Sequence, residues 1–566
     1  MQKLKVVLLA VVFLLTGLIS YQPVSAASAI VNPNKTYTYS HMAADIAKLK
    51  KIYPDLIQVK IIGKSEFGRN IYAVGLGKGK ATAFINGSHH AREWLTTNFN
   101  MYMIDRYAAA YKNGSSVKGY NVRTVLNSST LWFVPMVNPD GVTLQQSGLK
   151  AFPASYHAGL IKMNNGSKNF KRWKSNAKGV DLNRQYDAKW AGTDSPKSPS
   201  YRDYKGTAPH TASEVKAVLS LVNSIDADMA LSYHTTGKIL FWNYEQSGSR
   251  LTRDKNLGKK LSSMTGYRMY TPSIFKNAAG FSEWFSRMKQ RTAFTIEISP
   301  YYNETNPPVS EFKGAWSENQ AAGLFAGAES AKMYGVRMDA KAATLKTKLT
   351  SVRNSAKKLQ SYYYTNVKTR ADLRKDKAFM QLYAKTKSDL AAIQKSLKPL
   401  PVKNQNALAP LVKEINLYIT RSTSFITAID HGDKAVSQGK LLESKLQAGT
   451  IDAALHKQLA SAVMKAQKAQ PVLYGNHVKQ LFDQKYLKPV AAISAASKYA
   501  LDRLALLTEA EKQITAGNQA AAQEKLEAYD KLQQQSSRYK QYPAIEKILA
   551  EKRLGTVPHF PEPQSL

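Results

Sequence analysis

The sequence predicts an α/β unit followed by an all-α one. Before about residue 335, short apolar runs with strand character at Ala83 to Ile85, Asp228 to Tyr233 and Thr292 to Ser299 accompany a helical stretch from Glu93 to Lys112. Beyond that point glycine nearly disappears, Ala, Lys, Gln and Leu take over, and apolar residues recur at helical spacing. At 566 residues the chain is long enough for roughly two to four domains with cores of their own.

In the first unit, Ala83 to Ile85 reads as a strand that breaks at Asn86-Gly87, and Glu93 to Lys112 reads as a helix. His90 and Glu93 stand three apart at that helix entrance, so one turn brings imidazole and carboxylate to the same side. His234 ends the strand-like run Asp228 to Tyr233. Two histidines and a glutamate are a common protein complement for catalytic zinc, which leaves its fourth position open. Glu297 lies in the β-branched, apolar run Thr292 to Ser299, where a carboxylate is costly unless it is used or paired. A metal makes water acidic enough to ionise near neutral pH, and a carboxylate beside it can take the proton and return it to a leaving amine. The set reads as a zinc hydrolase site. The bland readings are a core histidine for His234, half of a buried ion pair for Glu297, and His89 as the ligand in place of its neighbour.

Five pieces, His90-Ala-Arg-Glu93, Asn138-Pro-Asp-Gly141, Gly179-Val-Asp-Leu-Asn-Arg184, Ser232-Tyr-His234 and Phe294-Thr-Ile-Glu297, occur in the order and spacing of zinc metallocarboxypeptidases. The chain resembles that carboxypeptidase A-like family over about residues 35 to 335. The run Arg172-Trp-Lys through Leu182-Asn-Arg-Gln-Tyr is most similar to the bacterial branch that includes γ-D-glutamyl-diaminopimelate peptidases. The resemblance implies a mixed β-sheet flanked by helices, and one zinc per chain held by His90, Glu93 and His234. Only His90, and not His89, has the glutamate at the family spacing. It further implies that Glu297 is general base and then acid, and that Asn183 and Arg184 grip the substrate's terminal carboxylate. The latter role suits an amide beside a guanidinium fork. Arg92 would line the groove, and Asp181 would orient the first histidine ligand. The bland alternative for Arg184 is an ordinary structural arginine.

Two positions depart from the family pattern. Phe275 stands where a mobile capping tyrosine is expected, and phenylalanine has no hydroxyl to donate. The arginine that polarises the scissile carbonyl is missing after Trp173, where the chain reads Lys174-Ser-Asn-Ala-Lys178, leaving Lys174, Lys178 or Arg172 as substitutes. Ser282 falls at the base of the pocket for the departing amino acid, and selects neither basic nor apolar side chains.

Met1-Gln-Lys-Leu-Lys5, an apolar stretch from Val6 to Ile19 and a small-residue site at Val24-Ser-Ala26 or Ala27-Ser-Ala29 make residues 1–26 a secretory signal peptide by expectation, with the mature protein secreted and associated with the cell wall. No later apolar run is long enough to span a membrane, so no integral membrane association is expected. The chain has no cysteine, which excludes disulfides and thiolate ligands. Its net charge of +40, from 80 basic against 40 acidic residues, favours polyanions. Basic residues are not interleaved with stacking aromatics, so the expected partner is an anionic wall polymer and no nucleic acid. The acidic stem peptide of the wall fits the same field. A solvated, soluble surface is the plain alternative.

The domain expectation is 35–335 catalytic, 336–400 helical, 401–555 bundle-like and 556–566 a Pro-rich tail. Helix, break, helix patterns at Gly449-Thr450 and Gly517-Asn518 predict helical hairpins, and Lys398-Pro-Leu-Pro-Val402 together with Ala409-Pro410 predicts a joint. The functional expectation is a secreted zinc metallocarboxypeptidase acting next to a free C-terminal carboxylate, in peptides or cell-wall stem peptides. Its rival is a wall-binding protein that keeps the pocket as a receptor and works through the helical region.

Overall fold

The computed structural model describes residues 29–270 and 279–556. The expected signal peptide, Phe275 and all of the expected tail except Thr556 lie outside the described residues. The chain forms two compact units that divide after Arg337.

The first unit is built on a mixed eight-stranded sheet. In chain order its strands are β1 (Ile57–Lys64), β2 (Asn70–Gly77), β3 (Ala81–Gly87), β6 (Ser129–Val134), β7 (Met229–His234), β8 (Ile239–Phe241), β9 (Arg268–Tyr270) and β10 (Thr292–Glu297), while β4 (Ser116–Val117) and β5 (Tyr120–Asn121) form a separate ribbon. The spatial order is β1-β2-β6-β3-β7-β10-β8-β9. At its centre β6, β3, β7 and β10 all run parallel, whereas β2 and β8 flank them antiparallel. Strands buried on both faces read as continuous apolar runs rather than as alternation, which is why these segments stand out in the sequence.

The pleat sends alternate residues to opposite cores. Ala83, Ile85, Leu231, Tyr233, Phe294 and Ile296 enter one core, together with Phe99, Ile104 and Tyr107 of the helix Leu95–Asn113. Phe84, Ala230 and Ala293 enter the other, against Val215, Val218 and Val222 of the helix Ser213–Ile225 and Phe281, Trp284 and Phe285 of the helix Phe281–Lys289. Gly87 ends β3 with no room for a side chain: a Cβ there would lie 2.6 Å from Asn100 Nδ2 and 2.9 Å from Thr96 Oγ1. That close approach seats the helix Leu95–Asn113 directly under the turn that follows β3.

The second unit is helical. The helix Val402–Gln447 is followed by Ala453–Ala469, and Lys488–Thr515 by Gln519–Gln533, as the two glycine breaks predict. Gly449 and Gly517 have φ of 79° and 78°, a left-handed conformation that glycine adopts without steric cost. Leu446, Leu459, Leu507, Leu526 and Tyr529 share a core. One expectation is corrected: Lys398 to Pro401 does separate two helices, but Pro410 lies inside the helix Val402–Gln447 and does not end it. A proline removes one backbone donor, and burial of Leu408 and Ile415 on either side keeps the helix continuous. Among the described residues no helix is long and apolar enough to cross a membrane.

Glu214, in the first turn of the helix Ser213–Ile225, is fully buried, with Asn176 Nδ2 as a long-range donor at 3.3 Å. Burial, reinforced by Glu66 and Asp140, raises its pKa from 4.5 to about 8. Because the folded value is raised, the contribution of this group to stability is greatest below pH 4.5, falls between 4.5 and about 8, and is level above that. Glu214→Gln is therefore expected to melt higher than the unmodified protein at pH 9, by a margin of a few kcal/mol, since each pH unit between the unfolded and folded values contributes ~1.4 kcal/mol, with the difference vanishing near pH 4.5. Calorimetry at the two pH values checks this, and equal differences at both would refute it.

Candidate active site

The centre of the sheet delivers side chains to one edge. In the parallel pairing of β10 with β7, Glu297 lies opposite His234, and in that of β3 with β7, Gly87 lies opposite Tyr233. Three neighbouring strands thus end together at their C-terminal edge, where sheets of this kind place their sites. After β3 the chain turns at Ser88, whose N–H donates to Thr96 Oγ1 at 2.8 Å, and makes a short 3₁₀ turn, Ala91–Glu93, before the long helix. The turn points His90 and Glu93 the same way.

His90 Nδ1 lies 2.7 Å from Glu93 Oε1, His234 Nδ1 lies 2.9 Å from Glu93 Oε2, and the two Nδ1 atoms are 3.2 Å apart. All three side chains are buried, and their donor atoms fall within 4.8 Å of one another. If both Nδ1 atoms carried protons for the carboxylate, those protons would face each other. A cation satisfies all three lone-pair donors at once, so the donor set fits zinc. Burial acts to raise the pKa of Glu93, but the two imidazoles outweigh it and hold the carboxyl well below its usual range. His234 is pushed down by burial, which favours the neutral, metal-ligating form.

Behind the ligands, His90 Nε2 lies 3.3 Å from Asp181 Oδ1, and Asp181 Oδ2 lies 3.0 Å from Lys174 Nζ. Lys174 Nζ also donates to Asp203 Oδ1 at 2.7 Å. The lysine, and after it His90, overcome burial and hold Asp181 well below its ordinary pKa. His89 points elsewhere: its Nε2 lies 2.8 Å from the Tyr186 hydroxyl, and burial keeps the ring neutral.

Glu297 faces the same space. Its Oε2 is enclosed with no hydrogen-bond partner among the described residues, and burial, with the charge of Glu93, pushes its pKa well up against the pull of Lys174. A cavity of ≈ 240 Å³ brings together His90, Glu93, His234 and Glu297 with Arg92, Lys174, Asn183, Arg184 and Ser282. Of the three basic candidates near Trp173, only Lys174 lines it. Arg172 stacks on Tyr201 at 4.0 Å, and Lys178 sits over the Tyr156 ring at 5.0 Å. Arg92 NH1 donates to Arg172 O at 3.2 Å. Asn183 Oδ1 accepts the Phe281 N–H at 3.0 Å, and Arg184 NH1 donates to Asn183 O at 3.1 Å, so the start of the helix Phe281–Lys289 braces the pair.

Among the described residues, five that line the cavity escaped the sequence reading: Phe241, Tyr244, Gly280, Glu283 and Thr295. Thr295 Oγ1 donates to Ser282 Oγ at 2.8 Å and accepts from the Tyr244 hydroxyl at 3.1 Å, giving the cavity a hydroxyl-rich wall. Glu283 Oε2 accepts the Gly280 N–H at 2.9 Å. Burial raises its pKa to about 7 although Arg184 and Arg287 oppose this. The Gly280-to-Glu283 spacing reads as a helix capping box, and in that reading nothing marks the carboxylate as facing a cavity.

Residues 42–322 match the family described as zinc carboxypeptidase, and residues 364–491 match the SbsC C-terminal domain. The chain is 36% identical over 299 residues to gamma-D-glutamyl-L-diamino acid endopeptidase 1 of Lysinibacillus sphaericus, covering 52% of this chain and 73% of that one. It is 30% identical to the protein YqgT of Bacillus subtilis (strain 168), covering 48% of this chain and 73% of the other. Metallocarboxypeptidase A of Trichophyton rubrum is 27% identical, over 40% of this chain and 52% of its own. The buried His-Glu-His donor set at the strand ends and the extent of these matches agree: the chain belongs to the zinc carboxypeptidase family of metallopeptidases.

Proposed function

We propose that this metallopeptidase is exported and hydrolyses the peptide bond next to a diamino acid that ends in a free carboxylate, as in cell-wall stem peptides. The observation that carries the reading is a cavity in which a metal donor set, a basic carboxylate, a carboxylate-binding pair and an enclosed acidic wall residue meet. The name of the Lysinibacillus relative supports the substrate class, and the basic, apolar, small-residue order of residues 1–26 supports export.

His90, Glu93 and His234 would hold the zinc. Zinc in such a site supplies Lewis acidity and brings the ionisation of water near neutral pH. Glu297 takes a proton from the water as its oxygen bonds to the scissile carbonyl carbon, and delivers that proton to the departing nitrogen as the C–N bond breaks. Its enclosure suits it to both roles, because a carboxylate short of hydrogen bonds is a stronger base. Asn183 and Arg184 hold the terminal carboxylate, the amide beside the fork. Lys174, which lines the cavity, would meet the charge that develops on the carbonyl oxygen, as a point charge rather than a fork. Asp181 orients His90 from behind. Ser282, Thr295 and Tyr244 offer oxygens to the side chain of the departing residue, and Glu283 offers charge, which together suit a side-chain ammonium.

Zinc-loaded protein incubated with a mixed pool of C-terminally free peptides and digested muropeptides is expected to release terminal diamino acids, read by mass spectrometry. No release from any of these, with one zinc bound, would overturn the enzymatic reading in favour of a receptor. Glu297→Gln is expected to keep its zinc and lose about 10²–10⁴ in kcat, whereas His234→Ala is expected to lose stoichiometric zinc in elemental analysis.

Glu283→Gln is expected to lower kcat/KM roughly tenfold for departing residues with an amine-bearing side chain, at ~1.4 kcal/mol for a lost partly exposed charge pair, and to leave apolar ones unchanged. Glu283 is ionised only above its raised pKa of about 7. Preference for the cationic side chain should therefore rise between pH 6 and 8 in the unmodified protein and stay flat in the variant. A parallel rise in both would remove Glu283 from the recognition of the substrate.

A further inference from the structure

Two adjoining cavities of ≈ 490 Å³ and ≈ 460 Å³ lie along one side of the paired helices Val402–Gln447 and Ala453–Ala469, and they share His431 and Lys465. Their lining on the longer helix runs from Thr420 to Gln438 at steps of three and four residues, one helical face. Eighteen residues at the helical rise make a channel roughly 27 Å long.

The chemistry of that channel is one-sided. Lys434, Lys457, Lys465 and Lys468 line it, and among the described residues no carboxylate does. The helix Ala453–Ala469 contains no Asp or Glu at all. Among the described residues none of the four lysines makes an ion pair, although lysines elsewhere in this unit do, such as Lys498 with Asp502 and Lys552 with Glu511. Four like charges facing one trough repel one another, and a bound polyanion removes that repulsion while releasing its own counterions. Between the lysines stand the hydroxyls of Thr420, Ser424, Thr427 and Ser461. Gln438 lies beside them with its Oε1 enclosed and, among the described residues, without a hydrogen-bond partner.

We propose that this channel binds a linear, base-free polyanion carrying a phosphodiester in each repeat. Phosphate oxygens are met in general by lysine together with Ser, Thr and Gln donors, which is the lining found here. Among the described residues no arginine lines the channel, so none there offers the bidentate fork that suits planar carboxylates. Among the described residues no Phe, Tyr or Trp lines it, and His431 is the single ring there, which gives successive nucleobases no row of platforms to stack on. The reading does not depend on the peptidase activity.

The test uses the full chain and poly(glycerol phosphate), with binding followed by calorimetry between 50 and 200 mM salt. Four lysine contacts predict a slope of log K against log salt near −3, at about −0.7 per phosphate neutralised on a single flexible strand. Lys457→Gln/Lys465→Gln is expected to halve that slope and weaken binding at least tenfold at 50 mM salt, with peptide hydrolysis unchanged. Lys395→Gln/Lys531→Gln removes the same charge from other helices and is expected to bind like the unmodified chain. Equal loss in both double variants would overturn the channel in favour of diffuse surface charge. Poly-glutamate or single-stranded RNA of equal charge binding as tightly would overturn the phosphodiester assignment, as would no binding of poly(glycerol phosphate).

Discussion

The C-terminal ends of β3, β7 and β10 lie side by side because three parallel strands pair in a fixed register, and the polar side chains of the cavity are arranged around that edge. Register locks Glu297 beside His234, while the turn after Gly87 brings His90 and Glu93 over the same point. A slip of one residue in the β7–β10 ladder would turn His234 or Glu297 away from the cavity and into a core. The two cores therefore do more than stabilise: Tyr233, Phe294 and Ile296 on one face, and Ala230 and Ala293 on the other, hold the register that makes the donor set converge.

Gathering two imidazoles, two carboxylates and a lysine out of water is costly, and the structure offsets the cost by connecting them. His90 leans on Asp181, Asp181 on Lys174, and Lys174 on Asp203, which reaches the surface. Glu297 and Glu283 stand outside that chain. Among the described residues neither makes an ion pair, and each pKa is raised by burial. Groups left under-satisfied next to a substrate cavity are the ones a substrate, water or metal can complete.

The helical unit solves a different problem. Its cores are made of leucine, alanine and tyrosine on long helices closed by glycine turns, and Arg503, fully buried, joins Glu546 and Tyr529 across three of those helices. With that much apolar surface placed inward, the outward faces are left to lysine, and the distribution of acidic residues then decides where charge accumulates. The helix Ala453–Ala469, having no acidic residue, is where it does.

By itself the sequence determined the chemistry of the donor set, the strands that carry it and the helical hairpins, because these rest on local spacing: His90 to Glu93, apolar runs buried on both sides, and glycine between helical stretches. Only the tertiary structure decided matters that depend on side-chain direction and distant neighbours. It turned Lys174 into the cavity while Arg172 and Lys178 stack on rings, kept His89 on Tyr186, and let Pro410 pass inside a helix held by its packing. It likewise opened Glu283 to the cavity, where spacing alone shows a helix cap, and set four lysines from two helices along one trough. Local patterns reflect what the backbone must do over a few residues, but the partner a side chain meets is chosen by segments far away in the chain.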